Sequence, residues 1–184
     1  METAICTTIK SISRDEWEAC RSSRAGGDPF LSYDFFFLLE TSNSVGPKTG
    51  WIPFYIIFKE KNIVVGIIVS FLKNHSQGEY VFDHSWADAY ERSGGNYYPK
   101  LQVAVPFTPV SGERILVQSE YEDKVGEMIS SAKRLVEENN LSSLHITFCS
   151  KSFVSVAKKN NLLIREGIQY HWFNRDYKSF DDFL

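Results

Sequence analysis

The sequence predicts a mixed, twisted α/β sheet with helices on both faces, and three observations carry that prediction. Two aromatic and β-branched runs, 51–59 and 63–73, are separated only by Glu60-Lys61-Asn62 and read as an antiparallel hairpin. Val125, Met128, Ile129, Ala132, Leu135 and Val136 fall on one stripe of a helix spanning 122–140. Beyond residue 100 the pattern alternates strand, helix, strand, helix, strand. Parallel neighbours need such helical crossovers.

The elements follow in order. Residues 5–12 open as a short strand-like stretch, and Ser13 with Glu16 then spells a capping box for a helix that turns Trp17 and Cys20 inward and stops at Gly26-Gly27. Asp28-Pro29 is a turn, and Ser32 caps a second helix through Glu40, whose broad apolar side, Phe35, Phe36, Leu38 and Leu39, must lie against a sheet. Runs 54–58 and 63–69 hold so few polar residues that they are expected at the sheet centre, covered on both faces, with 79–83 as the next strand. Residues 85–95 read as a polar-aromatic helix, and 101–105 as a strand. Two prolines and Gly112 make 106–114 an irregular turn. After the long helix come a buried strand over 144–148, a short helix over 152–160 and one or two strands over 163–174.

Composition bounds the function. The chain of 184 residues, 43% hydrophobic, reads as one domain, large enough to need neither a disulfide nor a structural metal. Cys6, Cys20 and Cys149 form no CxxC pair, and His75, His84, His145 and His171 show no HxH or HExxH spacing, so no metal site is expected. Twenty basic against 23 acidic side chains, split evenly along the chain, supply no basic face for DNA. With no basic-then-apolar leader and no run of spanning length, a cytoplasmic protein without membrane insertion is expected.

The order of elements resembles the GNAT acyltransferase fold, and several motifs are similar to those of FemAB-like proteins of peptidoglycan biosynthesis or recognition. The residues that carry this resemblance are Asp28-Pro-Phe-Leu31, Phe82-Asp-His-Ser-Trp-Ala-Asp-Ala-Tyr-Glu91, Tyr97-Tyr-Pro-Lys-Leu-Gln102, Val105-Pro-Phe-Thr-Pro-Val110 with Gly112 and Arg114, Leu141-Ser-Ser-Leu-His145 and Gln169-Tyr-His-Trp-Phe-Asn174. The resemblance implies a GNAT-like domain over 1–184 and transfer of an acyl or aminoacyl group to an amine of a small molecule, a peptide or a glycan, such as a cell-wall precursor. Acetyl-CoA, another acyl-CoA or aminoacyl-tRNA would be the donor. Family members carry a second, basic GNAT-like half, through which tRNA would be engaged, and Tyr177-Lys-Ser-Phe-Asp-Asp-Phe-Leu184 resembles the junction into it. The chain is therefore expected to be a truncated product or the N-terminal half of a longer protein. The alternative within this reading is a non-catalytic half that recognises a peptide, a glycan or a partner chain.

A GNAT enzyme holds the coenzyme A pyrophosphate on a glycine-rich turn at a helix N-terminus, where free amides favour an anion. Here that turn would be 109–114, with Thr108, Gly112 and Arg114 as donor-binding residues, but the usual Arg/Gln-x-x-Gly-x-Gly/Ala pattern is absent. Glu113, Glu120, Glu122 and Asp123 would repel the phosphates, which argues against ordinary acetyl-CoA use. For the acceptor, His84 is the candidate base, since histidine is the side chain best suited to take an ammonium proton near neutral pH. Asp83 next to it is expected to be a cap or turn acceptor instead of its partner. Trp86, Asp88, Tyr90, Tyr97, Tyr98, His171, Trp172 and Asn174 are the candidate acceptor-binding residues, and each could equally be an ordinary packing or turn residue. His145 and Cys149 would share a strand face, yet four residues of extended chain, about 13 Å, keep them from acting as a nucleophilic pair.

Overall fold

A computed structural model describes residues 1–184, except for the side chains of Ser23 and Arg24. Strand β1 (Glu2–Cys6) leads into α1 (Arg14–Ala25), which starts on the expected capping box: the Ser13 hydroxyl accepts from the Glu16 amide, and the Glu16 carboxylate accepts from the Ser13 amide at 3.1 Å. The Ser32 hydroxyl accepts from the Phe35 amide and starts α2 (Tyr33–Thr41). Strands β2 (Trp51–Pro53), β3 (Tyr55–Glu60), β4 (Ile63–Ile68) and β5 (Ser70–Lys73) follow. Lys61 and Asn62, at φ 50° and 65°, close β3 on β4 with the two-residue turn whose twist suits adjacent antiparallel strands. Then come α3 (His84–Arg92), β6 (Lys100–Val103), β7 (Ile115–Val117), α4 (Val125–Glu138), β8 (Leu144–Ile146), α5 (Lys151–Lys159) and a last turn, α6 (Phe180–Phe183).

The strands align as β1-β3-β4-β7 and β2-β5-β6-β8, antiparallel throughout except for β6 beside β8. These two groups are one creased surface, because β2 runs into β3 past Phe54 and β4 into β5 past Val69. Across the crease the Phe54 amide donates to the Ser70 carbonyl at 2.9 Å and the Ala104 amide to the Val69 carbonyl at 3.3 Å. β6 pairs with β5, the chain loops out over 104–114, and it returns as β7 beside β4. One face of the sheet packs Tyr55, Ile57, Ile67 and Phe71 against Trp17, Leu31 and Phe36 under α1 and α2. The other packs Ile56, Phe58, Ile68, Leu101 and Val103 against Val125, Met128, Ile129, Ala132 and Phe153 under α4 and α5. Gly66 makes this approach possible, for a Cβ there would lie 2.5 Å from the Met128 methyl.

Four expectations are corrected. Residues 79–83 form no strand, since Tyr80 and Phe82 sit in the left-handed region at φ 57° and 50°, outside any pleat. Residues 163–174 form no strand either and lie exposed; their alternation is a local property, and a strand also needs a neighbour to accept its hydrogen bonds. β8 is half-buried instead of buried because it is the edge strand, and it ends at Ile146, so that Cys149 lies beyond the strand carrying His145. The irregular turn 106–114 does not abut the long helix. β7 and a short 3-10 helix, Ser119–Lys124, stand between them, and α4 begins at Val125.

Candidate functional site

Register places an unusual row of side chains on the α1/α2 face of the sheet. Lys73 pairs with Lys100 on one rung, and Phe71 pairs with Gln102 and Gln102 with His145 on the next. Residues directly opposite share a face, so the apolar core of that face gives way to charge at the ends of β5, β6 and β8. The segment between β5 and β6 covers this row and buries it: Lys73, Lys100 and Gln102 are inaccessible, and Ser76, Glu79 and Asp83 nearly so.

Lys100 is the centre. Its ammonium donates to Ser76 Oγ at 2.8 Å, Glu79 Oε2 at 2.8 Å and Asp83 Oδ2 at 2.9 Å, which uses all three protons. The Tyr97 hydroxyl donates to the same Asp83 oxygen at 2.8 Å, and the Tyr98 hydroxyl shares a 2.8 Å hydrogen bond with Ser76. Burial alone would raise the Asp83 pKa, but the hydrogen bonds from Lys100, Ser76 and Tyr97 bring it down to about 2. Burial raises Glu79, against the pull of Lys100. Lys73 donates to the Gln77 carbonyl at 3.1 Å and lies 3.9 Å from the Trp51 ring centroid; burial, helped by the Lys100 charge and opposed by Glu79, lowers its pKa to about 8. Glu79 Oε1, Asp83 Oδ1 and Gln102 Oε1 are buried acceptors without a partner. Unsatisfied acceptors of this kind are costly in an ordinary core.

His145 borders the cluster with its ring centroid 5.9 Å from that of Tyr97. Burial and then the Lys100 charge lower its pKa to about 4, so the imidazole is neutral at pH 7. Beyond Val103 and Ile146 the parallel strands part. The Gly112 amide donates to the Phe148 carbonyl at 2.9 Å, and the buried Arg114 guanidinium crosses the opening, donating to the Thr147 carbonyl at 2.8 Å and to the Val110 carbonyl. Burial lowers the Arg114 pKa to about 10, still charged at neutral pH.

The residues singled out in the sequence separate into four groups. Asp83, Tyr97 and Tyr98 converge on Lys100, and Asp83 turns its carboxylate inward without capping α3 through its side chain. His84, Trp86, Asp88 and Tyr90 lie exposed on α3, joined to the cluster by the Tyr90–Tyr97 ring contact at 6.2 Å. His171, Trp172 and Asn174 lie on the exposed C-terminal segment, where His171 hydrogen-bonds Gln169 at 2.9 Å and Trp172 meets Tyr177 and Phe183. Of the donor-binding set, the Thr108 hydroxyl donates to the Pro106 carbonyl within its own turn, while Gly112 and Arg114 fill the strand opening. Sequence reasoning missed Lys73, Ser76, Glu79, Lys100 and Gln102. The signal available was a lysine closing β5 and another opening β6, at positions that the antiparallel register places opposite one another.

The α/β arrangement matches solved acetyltransferases. A ribosomal-protein-alanine N-acetyltransferase from Brucella melitensis biovar Abortus 2308 aligns over 95% of this chain and 100% of its own, with TM-score 0.50 and 10% identity. The aminoglycoside N-acetyltransferase AAC(6')-Iy, in complex with CoA, aligns over 95% of each chain with TM-score 0.53 and 13% identity. The aminoglycoside 6'-N-acetyltransferase AAC(6')-IG from Acinetobacter haemolyticus aligns over 96% of this chain and 100% of its own, with TM-score 0.52 and 13% identity. At such identities the likeness establishes the GNAT fold. No curated protein sequence matches the chain. The sequence signature of the FemAB-like family, described as peptidoglycan biosynthesis/recognition, matches residues 8–184, and with the fold around it this chain belongs to that family.

Proposed function

We propose that the protein takes part in acyl or aminoacyl transfer to an amine, and that the ionic sheet face around Lys100 holds the acceptor. The observation that carries this reading is the set of partnerless acceptors, Glu79 Oε1, Asp83 Oδ1 and Gln102 Oε1, beside a charge-paired lysine and a neutral histidine. An amine or peptide amide would offer the donors that these oxygens lack once the segment between β5 and β6 that covers them moves aside. His84, exposed at the start of α3, is the proposed proton acceptor, with Trp86, Asp88, Tyr90 and Tyr97 flanking the acceptor. His145 would orient the amine without competing for its proton. Holding the amine in line with the acyl carbon contributes more rate than a base alone can.

The donor is proposed to bind away from this face. Arg114 lies across the strand opening, and Glu120, Glu122 and Asp123 crowd the residues ahead of α4, where a coenzyme A pyrophosphate would meet negative charge. A peptide acceptor from a cell-wall precursor fits the family description, and a second domain would then present the acyl-CoA or aminoacyl-tRNA. A purely recognising role, with no chemistry on this chain, is the second reading that the occupied opening favours.

Amide NMR with a short peptide bearing a free amine tests the site. The peptide should shift the Tyr97 and His145 signals, and its N-acetylated form should not; equal response to the two would reject the acceptor site. Turnover with acyl-CoA or aminoacyl-tRNA separates transfer from recognition, and a His84→Gln variant with unchanged turnover would remove His84 from the mechanism.

A further inference from the structure

Trp51, Lys73 and Lys100 stand on one rung of three neighbouring strands, β2, β5 and β6, and all three are buried. Two ammonium groups directly opposite one another destabilise a sheet unless anions answer them. Every hydrogen-bond partner of both lysines, Ser76, Gln77, Glu79 and Asp83, comes from the segment between β5 and β6, and neither apolar core contains a residue of 74–99. The pairing is uneven. Lys100 uses all three of its protons, whereas Lys73 gives one to the Gln77 carbonyl and keeps two without an acceptor. Beside it Trp51 Nε1 is a buried donor without a partner, on a ring whose centroid lies 3.9 Å from Lys73 Nζ. Gly78 leaves the space next to that indole N–H open, since a Cβ there would lie 3.1 Å from Nε1. Partnerless donors thus gather on β2 and β5, while the partnerless acceptors Glu79 Oε1, Asp83 Oδ1 and Gln102 Oε1 gather around Lys100 on β6.

We propose that the acceptor is a zwitterion, an amino acid or short peptide whose free carboxylate is held by Lys73 and Trp51 Nε1 while its amine meets the acceptors around Lys100. This inference rests on the acceptor site proposed above and adds an anionic pole to it. Charge balance selects a zwitterion over a simple amine. Admitting a ligand requires 74–99 to lift, and lifting it takes Glu79 and Asp83 away from both lysines. A lone cation entering there would add a third positive charge to two buried ammonium groups, which is costly. A ligand with both signs sets its carboxylate against the sheet and its amine against the returning carboxylates, and the buried net charge is unchanged. A carboxylate also has two oxygens, enough to accept from the Lys73 ammonium and the indole N–H together.

Alanyl-alanine in four forms tests the two poles separately: unmodified, C-terminally amidated, N-acetylated, and blocked at both ends. The readout is the Trp51 indole N–H proton by NMR, identified by its loss in Trp51→Phe. The unmodified dipeptide should bind most tightly and move this proton downfield, as an N–H does on gaining a carboxylate acceptor. The amidated form should bind at least about tenfold more weakly, the loss of a hydrogen bond to a charged group, and leave the Trp51 signal in place. Lys73→Met, shown to be folded by circular dichroism, should erase the difference between these two forms, and the wild-type comparison holds whether or not that variant folds. Equal binding of the unmodified and amidated forms, with Tyr97 and His145 shifting and Trp51 not, overturns the carboxylate subsite and leaves the amine site standing. Binding of the N-acetylated form as tight as the unmodified one, with Trp51 shifting, rejects the amine site and leaves the carboxylate subsite standing. Binding of none of them rejects both. Inorganic phosphate that moves the Trp51 signal at a lower concentration than the dipeptide would make the anion a phosphate and overturn the carboxylate assignment.

Discussion

The two ends of the same sheet obey different rules. Across β3, β4 and β7, Tyr55, Ile56, Ile57, Phe58, Ile67, Ile68, Leu116 and Val117 are buried and apolar, and each strand feeds both cores in alternation. At the ends of β5 and β6 the sheet instead buries Lys73, Lys100 and Gln102 under Glu79 and Asp83. The apolar end stabilises the fold roughly in proportion to the area removed from water. The ionic end gains little, because Coulombic attraction and hydrogen bonds mainly offset the desolvation of four charges. A molecule that maximised stability would fill that end with leucine. The contrast sets the scaffold at one end of the sheet and the proposed acceptor site at the other.

The largest expected effects set the two ends side by side. Phe58→Ala should lower unfolding free energy by about 3–5 kcal/mol through lost burial and the cavity left behind. Lys100→Met should cost a similar ~3–5 kcal/mol for a different reason, since Glu79 and Asp83 lose the cation that compensates their burial. Urea denaturation measures each, and a loss below about 1 kcal/mol for Lys100→Met would break the comparison.

Next in size is a pH effect confined to the ionic end. The His145 pKa is lowered to about 4 in the fold, whereas an unfolded histidine titrates near ~6.5. Between these values the unfolded chain takes the proton and the folded chain does not, so stability falls as pH drops from about 6.5 to 4 and levels off below. Partial solvent contact screens the full effect, leaving about 1–3 kcal/mol. Thermal melts at pH 7 and pH 4 should show this loss in wild type and a smaller one in His145→Gln.

A smaller effect would sharpen the contrast further. Replacing all four charges together, as Lys73→Met, Lys100→Met, Glu79→Met and Asp83→Leu, should recover most of the single-variant loss and end within about 1–2 kcal/mol of wild type, because no uncompensated charge remains. Peptide-amine binding should nevertheless vanish in the NMR titration. Smallest is the capping box far from the charged row: Ser13→Ala should cost about 1 kcal/mol of stability and leave peptide binding unchanged.

Much of the scaffold was readable from local chemistry. The capping box at Ser13, the Ser32 cap, the 61–62 turn and the Val125 stripe all act within one or two turns of chain, and each stands where expected. Part of the candidate site was readable as well, since Asp83, Tyr97 and Tyr98 reach the cluster. Its centre was not. Lys100 fell just outside the strand expected over 101–105, and only the pairing of Lys73 with Lys100, together with the return of Glu79 and Asp83 over them, makes it a buried cation. Phe82-Asp83-His84 shows how neighbours in sequence divide: the left-handed Phe82 turns the chain so that Asp83 goes inward while His84 stays in solvent.

Residue order was enough to determine the caps, turns, periodicities and sheet-with-helices architecture, because those depend on steric and hydrogen-bonding preferences between residues close along the chain. Three-dimensional packing was needed to decide which polar side chains lose water, which strand opening Arg114 crosses, and whether an alternating arm has a neighbour. Those outcomes depend on segments separated by tens of residues, and the free energy of a charge or of a strand edge is set by what stands beside it in space.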